Sequence, residues 1–319
     1  MQTRITEFPV DERPEGITEG PESTLFVSQI LSGRVLAIDA ATGETKEVVG
    51  EQIERQAWGL WYYKGKIFVA GGGSSFGGGK PEVYVYDAET GNSIVSCAPL
   101  SINTFGDFLN DVTIREGVAY ITDSVNGKLM AMDAEEALAG KCVVSEVDLP
   151  DNFDPIEKDD FGANGVVPYA NGLLVSHEID GSVWLITDLD NTSPTFQEVI
   201  PDDGAPGADG LTIVEDRLYV TQNFVNEIGV WKLYKEDGGG VHATKLGKLT
   251  SSAFDTPATS AAFEGYIYST NSRFVELPDI SAPADDNVIG VKDTFAKTAW
   301  GDSWASWGSS KAGKSSSGK

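Results

Sequence analysis

Short apolar runs, alternating with polar residues and closed by turn signals, recur along the whole chain. The runs are rich in β-branched and aromatic residues, which favours strands over helices. They fall into matched groups of three. PEGIT, TLFVS and RVLAIDAATG make the first; WGLWYY, KIFVAGGG and EVYVYDAETG the second; NDVTI, VAYITDS and KLMAMDAEE the third. NGVVPY, GLLVSHE and SVWLITD make the fourth; DGLTIV, RLYVTQN and IGVWKL the fifth; SAAF, YIYSTNS and, after a long loop, NVIGV the sixth. The AATGE and AETGN segments that follow the first two groups are turn signals ahead of a fourth, outer strand. Self-similar units of about 40–50 residues with four strands each are propeller blades. The pattern therefore predicts an all-β fold, a six-bladed β-propeller, over residues 1–294. A β-sandwich does not account for six matched groups.

The sixth group lacks a fourth strand of its own. RITEFPV, near the N-terminus, can supply it, because a ring gains by pairing its two ends rather than leaving an edge exposed. Residues 4–10 are thus predicted to form the outermost strand of the last blade. Residues 295–319 differ in kind: TAWGDSWASWG carries three Trp, and KAGKSSSGK is low in complexity and predicted to be disordered. A tail that lays a Trp on the propeller flank is the expectation there, with a linear binding motif as the other reading.

Charge narrows the partners. The net charge is −26 over 319 residues, which repels phosphate backbones and anionic lipid, so neither nucleic acid nor membrane is expected. No apolar run is long enough to span a bilayer. The start, MQTRITEFPV, lacks the form of a secretory signal. A cytoplasmic protein and a secreted one with its signal removed both remain open. Cys97 and Cys142 are the only cysteines. Both are predicted on outer strands, one late and one early, so they should sit towards opposite faces and no disulfide is expected. Two free thiols lean towards an intracellular protein. His177 and His242 are too few for most His-based metal sites.

The candidate chemistry lies where the first strands begin. Glu15, Trp58, Asn110, Asn164, Asp209 and Ser260 occupy matching places, separated by 43, 52, 54, 45 and 51 residues. First strands line a propeller's tunnel, so these six residues should ring one mouth. Glu15, Asn110, Asn164 and Asp209 offer carboxylate and amide oxygens, the donors Ca²⁺ prefers, with another divalent cation as the alternative. Asn-Gly and Asp-Gly also read as turns entering strands. All four of Glu15, Asn110, Asn164 and Asp209 falling at matching places is harder to obtain from turns alone.

These residues carry a resemblance. PEGITEGPESTLFVS, FLNDVTI, FGANGVV and GADGLTIVEDRLYV resemble, in order, the metal-ligand segments of the SMP-30/gluconolactonase/luciferin-regenerating-enzyme-like superfamily, which includes the diisopropyl-fluorophosphatase type. The likeness spans about residues 4–293 and assigns the metal to Glu15, Asn110, Asn164 and Asp209. VAGGG, NDVTIREGVAYITDS and YIYSTNSRF resemble a bacterial and fungal branch of it without a secure activity. The resemblance implies a calcium-dependent hydrolase of a lactone, ester or phosphotriester. Asp209 would serve as ligand and as base or nucleophile, and His177 would be a second catalytic group. Arg273, Asn223 and Asp123 are expected at the mouth as substrate contacts. A monomer acting on a small molecule is the expectation.

Two other readings stand beside it. One is a non-catalytic binding propeller with a structural calcium ion. The other resembles the strictosidine-synthase relatives, which lack the full oxygen ring. Neither a P-loop nor a GxSxG elbow is present.

Overall fold

The computed structural model describes residues 3–8, 12–73, 81–100, 107–153, 161–189, 193–236, 240–274 and 286–296. Six small antiparallel sheets make the six blades. Blade 1 is β2 (Pro14–Glu19), β3 (Thr24–Gln29), β4 (Val35–Asp39) and β5 (Thr45–Val49). Blade 2 is β6 (Leu60–Tyr63), β7 (Lys66–Ala70), β9 (Val83–Asp87) and β10 (Ser93–Cys97). The short β8 (Gly72–Gly73) leaves blade 2 to pair with β11 (Phe108–Arg115) of blade 3. That blade continues with β12 (Val118–Asp123), β13 (Lys128–Asp133) and β14 (Val144–Asp148). Blade 4 is β15 (Ala163–Tyr169), β16 (Gly172–His177), β17 (Ser182–Thr187) and β18 (Thr195–Ile200). Blade 5 is β19 (Ala208–Val214), β20 (Arg217–Gln222), β21 (Glu227–Lys235) and β22 (Val241–Thr250).

Blade 6 joins the two ends of the chain. Its order is β23 (Pro257–Phe263), β24 (Tyr266–Asn271), β25 (Asn287–Lys292) and then β1 (Thr3–Glu7). Thr3 stands opposite Val291 and Glu7 opposite Asn287. Arg4 locks this strand: its Nη1 donates to the Tyr268 hydroxyl at 2.8 Å, and its guanidinium lies 4.1 Å from the Tyr266 ring centre. The predicted closing strand is therefore present over Thr3–Glu7, while residues 9 and 10 lie outside the described residues.

Strand alternation explains why the blades stack in a circle. On β7, Ile67 and Val69 face blade 1, whereas Phe68 and Ala70 face blade 3. Each strand thus feeds two cores, and one apolar cluster fills each of the six gaps between neighbouring blades. The first strands pack in sequence, β2 on β6, β6 on β11, β11 on β15, β15 on β19, β19 on β23 and β23 on β2. That closed circuit is the tunnel wall.

One helix, α1 (Ala134–Leu138), interrupts blade 3 after β13. Asp133 caps it by accepting from the Glu136 amide, and Ala134 and Ala137 are buried against β10 and its neighbours. This detour corrects the cysteine expectation. Cys97 ends β10, and Cys142 follows the helix rather than standing in the outer strand. Packing of α1 on β10 brings the two together, with their Cα atoms 5.5 Å apart and a disulfide between them. The free-thiol argument for an intracellular protein falls with it. Residues 297–319, including the Trp-rich segment, lie outside the described residues; Phe295 packs on the blade 5–6 core. Among the described residues no helix is long and apolar enough to cross a membrane.

Candidate functional site

A bulge opens nearly every first strand. In β2 the pairing register breaks between Pro14 and Ile17, in β11 between Leu109 and Val112, and in β15 between Ala163 and Val166. In β19 it breaks between Ala208 and Leu211, and in β23 between Pro257 and Ser260. The residues inside these bulges are Glu15-Gly16, Asn110-Asp111, Asn164-Gly165, Asp209-Gly210 and Ala258-Thr259. Such a bulge unpairs the backbone locally and re-aims the side chain it carries. Here it presents Glu15, Asn110, Asn164 and Asp209 to one cavity at the tunnel mouth. The sixth place belongs to Ala258, not Ser260. Ser260 instead lies beyond the bulge, where its Oγ is 2.9 Å from the Thr212 hydroxyl and accepts from Thr221.

The Asn-Gly and Asp-Gly pairs are therefore not turns. Their glycines are set by space, since each backbone abuts the anchor of the next blade. A Cβ on Gly165 would stand 2.4 Å from the Asp209 carbonyl oxygen, and one on Gly59 would stand 2.6 Å from the Asp111 Cα. Second-strand hydroxyls brace the same seam. Ser176 donates to the Asp209 carbonyl at 2.8 Å, Thr270 to the Glu15 carbonyl at 2.5 Å, and Ser28 to the Trp58 carbonyl. Asp111 stands where the other blades carry glycine or threonine. It reaches across to blade 4, accepting from the Val166 amide at 3.0 Å.

The floor of the cavity is made of oxygen. Asn110 donates its Nδ2 to Ser124 Oγ at 3.0 Å, and Asn164 donates its Nδ2 to Glu178 Oε2 at 2.8 Å. Both amides thus commit their donor ends to the protein. Among the described residues, Asn110 Oδ1 and Glu15 Oε2 are buried without a hydrogen-bond partner. Asn223 donates to Asp209 Oδ2 and to Glu178 Oε1, each at 3.2 Å. Burial, then the negative charges of Asp111 and Glu178, hold the Glu15 carboxyl well above its ordinary range. Burial, then the charges of Glu15, Glu178 and Asp111, do the same for Asp209, against the Asn223 hydrogen bond. Burial also raises Glu178.

Orphaned carboxylate and amide oxygens, with too much negative charge in one place, suit a hard cation. Among the described residues no group of three or more His, Cys, Asp and Glu side chains is arranged to hold a metal ion. An ion here would rest on two carboxylates and two amide oxygens.

The other residues expected at the mouth divide. Asn223 lines the cavity. His177 does not: its Nδ1 lies 2.8 Å from Asp180 Oδ1 and its ring packs edge-on to Phe153 in the gap between blades 3 and 4. Arg273 pairs through Nε with Asp255 Oδ2 at 3.3 Å and is not in the cavity lining. Asp123 caps its own turn, accepting from the amides of Phe108 and Val125 and from Asn126. Glu178, Phe161, Phe224 and Phe274 line the cavity without having been singled out from the sequence, and Trp58 lines it from the blade 2 anchor place. The empty volume is about 430 Å³, including the open mouth.

No protein-family model matches the chain, and no curated protein matches it. Solved structures do. A luciferin-regenerating enzyme superposes with a TM-score of 0.61 at 14% identity, covering 93% of this chain and 97% of its own. A streptogramin B lyase gives 0.57 at 15% identity, covering 85% and 80%. The PQQ-bound form of an aldose sugar dehydrogenase from Streptomyces coelicolor gives 0.55 at 12% identity, covering 91% and 98%. At such identities the likeness carries the fold alone: the chain is a six-bladed β-propeller.

Proposed function

We propose that this propeller is a calcium-dependent hydrolase of a lactone, ester or phosphotriester, with Glu15, Asn110, Asn164 and Asp209 as the metal ligands. The observation that carries it is a pair of buried oxygens, Glu15 Oε2 and Asn110 Oδ1, unpartnered among the described residues, in the floor of an open cavity shared with Asn164 and Asp209. The segments around these four residues resemble the SMP-30/gluconolactonase/luciferin-regenerating-enzyme-like superfamily, and one structural neighbour bears a name from that group.

When bound, Ca²⁺ supplies Lewis-acid polarisation of the substrate's carbonyl or phosphoryl oxygen. The protein supplies the rest. Asn110 and Asn164 are held with their donor ends turned into the protein. Asp209 is fixed by Asn223, and its carboxylate accepts the proton of the attacking water. Glu178, which shares Asn223 with Asp209, keeps the Asn164 and Asn223 amides in place. His177, Arg273 and Asp123 stay outside this scheme. The alternative, a structural ion in a binding propeller, fits a capped site better than this open one.

The test is direct. One equivalent of bound Ca²⁺, loss of thermal stability on chelation and recovery on add-back are expected, together with Ca²⁺-dependent turnover in a lactone, ester and phosphotriester panel. Asp209→Asn should abolish that turnover. Unchanged stability on chelation, with no bound divalent ion, would sink the reading.

A further inference from the structure

Above the oxygen floor the cavity is walled by aromatic rings. Trp58 takes the blade 2 place in the anchor ring, and Gln56 Oε1 accepts its indole N–H at 3.1 Å. Phe274 stacks on it, with ring centres 6.2 Å apart and planes 15° from parallel. Phe108 meets Trp58 edge-on at 4.7 Å and Phe161 at 5.0 Å, which carries the aromatic wall round to blade 4. Phe224 enters from the short 3-10 turn Asn223–Val225 of blade 5 and is 56% exposed. An exposed ring at the rim of a cavity is apolar surface that a ligand can cover. Among the described lining residues there is no Lys or Arg, and three carboxylates, Glu15, Glu178 and Asp209, face the same space.

We infer that the group recognised beside the reacting carbonyl is a flat, uncharged aromatic ring, so that the substrate is a neutral aryl ester or aryl lactone. This rests on the hydrolase reading above. Aromatic walls reward a flat apolar ring through stacking and edge contacts. They offer a polyhydroxylated sugar lactone few hydrogen-bonding groups, and the described lining holds no Lys or Arg to pair with an anionic substrate. The reaction is addition of water across the acyl C–O bond. The water oxygen bonds to the acyl carbon, one water proton passes by way of Asp209 to the aryl oxygen as its bond to that carbon breaks, and an ester gives a carboxylic acid and a phenol while a lactone opens to a single phenolic acid.

The experiment compares 2-naphthyl acetate, ethyl acetate and gluconolactone as substrates of the full chain in Ca²⁺. It adds equilibrium binding of 2-acetonaphthone, a ketone that cannot be hydrolysed. Phe224→Ala and Phe274→Ala are the variants, chosen because both rings are partly exposed, with thermal melts to check folding. The expected result is a loss of about tenfold in kcat/KM for 2-naphthyl acetate in the double variant, well beyond the loss for ethyl acetate, and a parallel weakening of ketone binding. If no ester turns over but the ketone binds and the variants weaken it, the hydrolase reading fails and aromatic recognition stands. Absence of ketone binding, equal losses on ethyl acetate, or gluconolactone as the best substrate would overturn the inference.

Discussion

Asn164 donates its Nδ2 to Glu178 Oε2 at 2.8 Å, and this one hydrogen bond decides which end of the amide the protein takes up. Glu178 accepts from Asn223 as well, so one carboxylate orients two cavity side chains. Partners of this kind, one step behind a metal ligand as Asn164 is proposed to be, affect affinity by about 10–100-fold. Glu178→Ala should therefore weaken Ca²⁺ binding by that order in calorimetry while leaving the fold intact. An unchanged affinity would show that Asn164 holds its orientation without Glu178.

At the proposed calcium site, protons and calcium would compete for the same floor. Burial and mutual repulsion raise Glu15 and Asp209 well above their ordinary values, and burial raises Asp111 from 3.8 to about 7. The metal-free folded chain thus binds more protons than the unfolded one above the ordinary carboxyl range. Stability contributed by these groups is present at low pH and falls as pH rises towards their folded values. Bound Ca²⁺ favours the ionised forms, so its affinity should rise over the same interval. Melting temperatures across pH 4–8 should fall with pH in chelator, and the stabilisation by Ca²⁺ should widen. Parallel curves with and without Ca²⁺ would contradict this.

Gly165 and Gly210 are tests of the seam between blades. A Cβ at Gly165 would meet the Asp209 carbonyl oxygen at 2.4 Å, and one at Gly210 the Thr259 Cα at 2.7 Å. Both partners are backbone and cannot swing aside. Gly165→Ala should cost about 1–3 kcal/mol in denaturant unfolding, as overpacking does. It should also weaken Ca²⁺ binding, because the displaced backbone carries Asp209. If these pairs were only turns, alanine would be tolerated.

What the sequence made legible follows from periodicity. The blades, the N-terminal closing strand and the placing of Glu15, Asn110, Asn164 and Asp209 at matching sites repeat along the chain, and repetition is visible without a structure. What it concealed are single-residue offsets. A bulge moves the sixth anchor place from Ser260 to Ala258. Strand parity sends His177 to the core with Leu173 and Val175, and its neighbour Glu178 to the cavity. Phe161, Phe224 and Phe274 come from three separate blades or connections, so no local pattern groups them. The helix α1 hides in a segment that reads equally as the end of a strand.

The same helix leads to the last prediction. Cys97 and Cys142 are 45 residues apart in sequence, and their disulfide ties blade 2 to the segment entering the outer strand of blade 3. Closing a loop of that length in the unfolded chain stabilises the fold by up to about 4 kcal/mol in the chain-entropy model. Peptide mapping without reductant should recover the linked pair. Cys97→Ser and Cys142→Ser, singly and together, should lower the melting temperature by similar amounts, because either one removes the same crosslink. Ca²⁺ affinity should not change, since the bridge joins the end of β10 to the segment between α1 and β14, and the proposed ligands stand on the inner strands. A Cys97→Ser variant far less stable than Cys142→Ser would instead assign the effect to packing of Cys97, which is buried between the blades.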